Sequence, residues 1–230
     1  MSLPPNAKSS SKADRGAAER RLYDKSVFIN CPFDDRYRPL FRATAFTIFD
    51  CGLEPRCGLE VYDSGQVRID KIVKLVGACR YGVHDISRTE LDDETGLPRF
   101  NMPLELGIFL GAQRFGTGQQ KVKTCLVLDR EPYRYQKFIS DIAGQDISCH
   151  SGDLKTLIGT VRDWLSTATG GTPMPGGAKI AERFSQFSAE LPAIAASFHL
   201  EVDELTFKNF ANFASAWLQT NLLGSGDPLG

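Results

Sequence analysis

Short apolar runs alternate with longer amphipathic stretches between about residues 25 and 168, and that alternation leaves the chain few architectures. The runs are KSVFIN (25–30), LEPRCGLE (53–60), RYGVHDIS (80–87), KVKTCLVLD (121–129) and QDISCH (145–150). Between them, DDRYRPLFRATAFTIFDCG (34–52) places Leu40, Phe41, Ala45, Phe46, Ile48 and Phe49 at near-helical spacing, with Gly52 at its C-terminal cap. VRIDKIVKLVGAC (67–79) predicts a second helix, and a third runs from Asn101 or Met102 to about Gln113. KFISDIAG (137–144) predicts a fourth and DLKTLIGTVRDWLSTA (153–168) a fifth. Strands that alternate with helices pair in parallel, with helices covering both faces. Five such strands favour the flavodoxin-like order 2-1-3-4-5, whose ligand-binding switch point lies between strands one and three. The loops VYDSGQ (61–66) and RTELDDETGLPRF (88–100) complete this α/β domain of residues 25–168.

The flanks read differently. Residues 1–24 are polar and rich in Ser, Lys and Arg, which predicts a disordered or weakly helical arm. TGGTPMPGG (169–177) has the composition of a linker. Residues 178–230 read as a small helical appendage. Phe184, Phe187, Leu191, Ile194 and Phe198 form one apolar stripe, and Phe207, Phe210, Phe213, Ala214, Trp217 and Leu218 form another. So few short helices bury little alone. The stripes are therefore expected to pack on the first domain, on a second copy, or on a protein partner through residues 178–223.

A net charge of −1, 42% hydrophobic and 24% charged residues describe a soluble globular chain and give no reason to expect nucleic-acid binding. Cysteines 31, 51, 57, 79, 125 and 149 form no CxxC pair, and several lie inside apolar runs, where a free thiol acts as a small hydrophobe. No zinc spacing, signal-peptide core or membrane-length apolar run is visible. These features predict the cytoplasm, with no membrane association and no bound metal.

Chemistry is expected at the carboxyl ends of the strands. The third strand ends in His84, Asp85 and Ser87, and a helix opening at Pro103 would carry Glu105 in its first turn. There the helix field favours an ionised carboxylate acting as base, nucleophile or cation stabiliser; ordinary first-turn stabilisation explains the same residue equally well. Asn101 lies four residues earlier, on the same helical face. Gly107 and Gly111 would let the helix lie close to the sheet. Asn30, Phe33 and Asp34 end strand one, Arg56 and Glu60 strand two, and Asp129, Arg130, Tyr133 and Tyr135 strand four. Aromatic walls, arginines and one carboxylate suit a nucleotide. No GxGxxG, P-loop or GxSxG is present. His84 reads as a core histidine, His150 could reach the mouth of the site, and His199 has no partner.

VFINCPFDD, SGQVRIDKI, CRYGVHDIS and NMPLELGIFLGA resemble the prokaryotic TIR-like nucleotide-binding proteins associated with defence and, more distantly, nucleoside deoxyribosyltransferases. The N-x-x-x-E-L-G pattern is Asn101, Glu105, Leu106 and Gly107 here, and the resemblance covers about residues 25–165. It implies cleavage of an N-glycosidic bond, in TIR enzymes the nicotinamide–ribose bond of NAD, with NAD as substrate and no cofactor. Glu105 would then stabilise the oxocarbenium-like centre, bind ribose hydroxyls or act as nucleophile. Strand-end position makes Asp85 and Ser87 candidates to line ribose or base, Phe33 to stack, Arg130 to face phosphate, and Asn30, Asp34, Asn101 and Tyr133 to complete the substrate site. A non-enzymatic self-association module and a deoxyribosyltransferase are the alternative readings.

Overall fold

A computed structural model describes residues 12–60, 65, 67–91 and 96–224. Residues 1–11, 61–64, 66, 92–95 and 225–230, including most of the VYDSGQ loop and part of the acidic loop, lie outside the described residues.

Strands β1 (Ser26–Asn30), β2 (Glu54–Cys57), β3 (Tyr81–Asp85), β4 (Thr124–Asp129) and β5 (Ile147–Cys149) form one all-parallel sheet in the order 2-1-3-4-5. Every residue of β1 and β3 is buried, because helices cover both faces of the sheet. Helices α3 (Arg68–Ala78) and α4 (Asn101–Phe115) cover one face over Phe28. On the other face, α2 (Arg38–Asp50) and α5 (Leu154–Ala168) pack over Val27, Ile29, Val83, Leu126 and Leu128. Gly52 ends α2 at φ +75°, donating its N–H to Phe49 O.

Two segments differ from expectation. The polar arm contains a helix, α1 (Lys12–Lys25). It is anchored by the buried Tyr23, whose hydroxyl donates to Gln119 O, and by the Asp24–Arg80 ion pair at 3.1 Å. KFISDIAG forms no α-helix. Two 3-10 turns, Arg134–Lys137 and Ser140–Ile142, connect β4 to β5 instead. Eight residues ending in glycine are too few to hold a helix by local bonds alone. Phe138, Ile139 and Ile142 simply rest on the sheet beside Val127.

The C-terminal stripes are used inside the chain. Helices α6 (Gly177–Ser197) and α7 (Phe207–Gly224) add an outer layer over α2 and α5 and join the same core. Phe46 of α2 lies at its centre, 5.3 Å from the stacked ring of Phe187, 5.5 Å from Phe184 and 6.1 Å from Trp217. A buried Asp50–Arg183 pair at 2.9 Å joins α2 to α6. The linker is also fastened: Arg162 donates to Met174 O and Pro175 O, and Met174 is buried.

Gly82 of β3 is the one residue in the sheet where a side chain cannot fit. A Cβ there would stand 2.7 Å from His84 Nε2 and 2.8 Å from Phe109 Cε2. Both rings are fully buried, so neither can swing away. Gly82→Ala is expected to cost about 1–3 kcal/mol by overpacking, read as a lower urea midpoint at unchanged slope. An unchanged midpoint would show that the two rings move freely.

Candidate functional site

The site forms where the end of β1, the start of α3 and the first turns of α4 converge. Asn30 fastens them. Its amide donates to Met102 O at 2.8 Å and stands 3.1 Å from His84 Nδ1. The imidazole must therefore accept at Nδ1 and carry its proton on Nε2. That Nε2 is buried without a hydrogen-bond partner, and the ring packs edge-on between Phe28 and Phe109. Burial, aided by the charge of Lys123, lowers the His84 pKa to about 3, so the ring stays neutral. Asn30 and His84 are thus internal struts, and Asn30 has no amide hydrogen left for a ligand.

Asp85 is held just as firmly. Oδ2 accepts the Tyr37 hydroxyl and lies 2.9 Å from His150 Nε2, while Oδ1 accepts the Ser87 N–H at 2.8 Å. The Gly152 N–H donates to His150 Nδ1 at 3.0 Å, which places the imidazole proton on Nε2, toward Asp85. That contact has ion-pair distance without hydrogen-bond alignment. Burial pushes the Tyr37 phenol well above its ordinary range, and the Asp85 carboxylate pushes the same way. Tyr37, Asp85, Ser87 and His150 form a buried cluster at the end of β3.

Glu105 is different. Helix α4 begins at Asn101, so Glu105 is its fifth residue and lies in the second turn, beyond the strongest helix field. Pro103 is the third residue, where its missing N–H leaves no broken bond. Only 7% of Glu105 is exposed, and no hydrogen bond reaches its carboxylate from the described residues. Burial raises its pKa to about 7, opposed only by the charge of Arg68 at the start of α3. This reverses the expectation of a carboxylate kept ionised by the helix end. Gly107 and Gly111 are not spacers, since a Cβ at either would meet no atom within 4 Å. Asn101, four residues before Glu105, is exposed.

Cys31 marks the convergence. Burial pushes its thiol well up, and Asp85, Cys57, Glu105 and Asp34 push it further. Asp34 accepts the Tyr37 N–H at 3.1 Å and pairs with Arg88 at 3.4 Å through Oδ1, while its buried Oδ2 lacks a hydrogen-bond partner. The charges of Asp34, Asp85 and Glu105 are therefore all felt at one buried thiol. Beyond them, Glu90 lies 3.0 Å from Arg130, 3.9 Å from Arg134 and 4.0 Å from Arg88. Arg134 also pairs with the buried Asp129 at 2.7 Å.

The remaining candidates do not join this group. Phe33 packs edge-on against Phe41 and lines a small cavity of about 80 Å³ with Phe207, Arg38 and Arg42. Tyr133, 72% exposed at φ +59°, faces solvent. Arg56 and Glu60 pair with each other at 2.8 Å. Tyr37, Cys31, Arg68, Glu90 and Arg134 were not singled out from the sequence; only an aromatic two residues after DD, just before α2, gave any hint of Tyr37. Among the described residues no group of three His, Cys, Asp or Glu side chains could hold a metal ion, and no helix is long and apolar enough to cross a membrane. Comparison with family models, curated proteins and solved structures gives no match for the chain.

Proposed function

We propose that this chain is a TIR-like nucleotide-binding protein that hydrolyses the N-glycosidic bond between nicotinamide and ribose in NAD, in a cytoplasmic defence or signalling setting. One observation carries the reading: a buried carboxyl group that accepts no hydrogen bond from the described residues, its pKa raised by burial to about 7, at the β1/β3 switch point of the sheet. In the reaction the C1′–N bond breaks with its electron pair moving to the nicotinamide ring. Water then adds to C1′ and releases a proton. Positive charge on C1′ and the ring oxygen grows in the transition state, and ionised Glu105 in a poorly solvated site favours that charge over the ground state. Arg88 and Arg130 at the rim suit the pyrophosphate. Asp85 acts through position, holding Tyr37 and His150 beneath the site.

The test is nicotinamide release from NAD by the purified full chain between pH 5.5 and 9. The expected kcat/KM rises about tenfold per pH unit below pH 7 and levels above it, since the ionised carboxylate is the active form. NAD that binds without nicotinamide appearing would sink the hydrolase reading and leave an interaction module. That second reading draws on the apolar side chains of Val67, Ile69 and Val73, which α3 and its N-cap leave exposed. Base exchange between deoxynucleosides with no action on NAD would instead assign the transferase.

A further inference from the structure

β4 has six residues and β5 three, and β5 pairs only with Val127, Leu128 and Asp129. The Thr124–Leu126 half of β4 has β3 on one side and no described strand on the other. Hydrogen bonds along a parallel strand alternate in direction. The Thr124 N–H donates to Arg80 O, and Leu128 O accepts the Ile86 N–H, both toward β3; Asp129 O accepts the His150 N–H on the opposite side. Cys125 therefore turns its N–H and C=O to the open side, and neither has a partner among the described residues.

The open side is a slot of about 700 Å³. Leu110 and Gln113 of α4 form one wall, Asp163 and Trp164 of α5 the other, and Asp146 closes the end. β5 spans only three residues and stops short of this half of β4, so its edge stays unpaired among the described residues. The charged side chains lining the slot are both acidic. Asp163 pairs with its neighbour Arg162 at 3.0 Å, while the exposed Asp146 has no ion pair among the described residues.

We propose that the slot binds an extended peptide segment of a partner protein, added as a strand beside Thr124–Leu126, with a lysine or arginine directed at Asp146. An extended backbone supplies the acceptor and donor that Cys125 lacks, in the spacing of a sheet. At about 3.3 Å per residue the uncovered half-strand takes three to four residues. Their side chains alternate between the Leu110 wall and the Trp164 wall, so apolar or β-branched residues fit both. The acidic rim selects a basic side chain over an acidic one.

The test uses the full chain against capped hexapeptides of alternating Val and Thr, with Lys, Gln or Glu scanned through each position. Lysine peptides are expected to bind at least about tenfold tighter than glutamate peptides, and Asp146→Lys, a surface change, should invert that preference. N-methylation of alternate amides should abolish binding in one register and spare it in the other. Leu110→Arg should fill the slot and remove binding, with circular dichroism confirming an intact fold. Binding indifferent to N-methylation or to the charge at residue 146 overturns the proposal, as does the absence of binding at millimolar peptide. Self-association of the chain that Leu110→Arg abolishes, with no peptide bound, gives the slot to a second copy and likewise overturns it.

Discussion

Glu105→Gln is expected to abolish most turnover and, at the same time, to stabilise the fold at alkaline pH. Loss of a charge aimed at the transition state lowers kcat by about 100- to 1,000-fold. The stability gain follows from linkage. Glu105 titrates near pH 7 in the folded chain against an ordinary value of 4.5. Between those values the folded state holds a proton that the unfolded state has released, so stability falls as pH rises through that window. Below pH 4.5 both states are protonated and the full contribution is present; above pH 7 it is lost. The neutral amide avoids this loss, so at pH 8 the variant should be more stable by an amount on the order of 2–3 kcal/mol. Near pH 4 the two proteins should differ little. Urea titrations at both pH values decide it. A pH-independent difference would mean that Glu105 ionises as freely as a surface carboxylate, and the low-dielectric argument for its chemistry would fall with it. A loss of function joined to a gain in stability is a signature of a group held in an unfavourable state for its chemistry.

The same residue shows what a sequence reveals and what it withholds. VFIN, YGVHD and TCLVLD are legible as strands because both of their faces are covered, which makes them continuous apolar runs. Their alternation with amphipathic helices determines the sheet order, and with it the edge where Glu105 stands. The helix start was less legible. Pro103 reads as an opening residue, yet it is equally at ease two positions further in, and that shift moves Glu105 out of the first turn. No local pattern shows that Tyr37 and His150, from distant segments, close over Asp85, or that Asn30 reaches back to Met102 O. Strand-end position therefore placed these polar groups at one end of the sheet without showing which of them are already bonded. Asn30 and Asp85 are polar and well placed, and both are already satisfied. KFISDIAG failed for a different reason. Its apolar residues have helical spacing, but the segment is short and rests on the sheet through Phe138, Ile139 and Ile142 without completing a helical turn ladder.

Phe187→Ala is expected to destabilise the whole chain by about 3–5 kcal/mol. The stripe on α6 was legible in the sequence, but its destination was not, because spacing alone cannot distinguish a face meant for a partner from one meant for the chain itself. Phe187 is fully buried, with its ring 5.3 Å from Phe46 of α2, 5.6 Å from Phe210 and 5.8 Å from Trp217 of α7. Truncation leaves a cavity where three helices meet, and none of the surrounding rings can collapse into it without leaving its own contacts. If α6 and α7 are an outer layer of one core, the variant must lower the midpoint of a single cooperative transition, with near-ultraviolet aromatic signal and far-ultraviolet helix signal lost together. A separable appendage behaves otherwise: its helix signal melts early while the sheet domain keeps its own midpoint. Asp50 and Arg183 argue for the first outcome. Their ion pair crosses the same boundary with both side chains almost wholly buried, and breaking such a pair costs several kcal/mol because a charge is left in the interior. The apolar stripe and the buried ion pair thus make the same demand, that α2 and α6 unfold together.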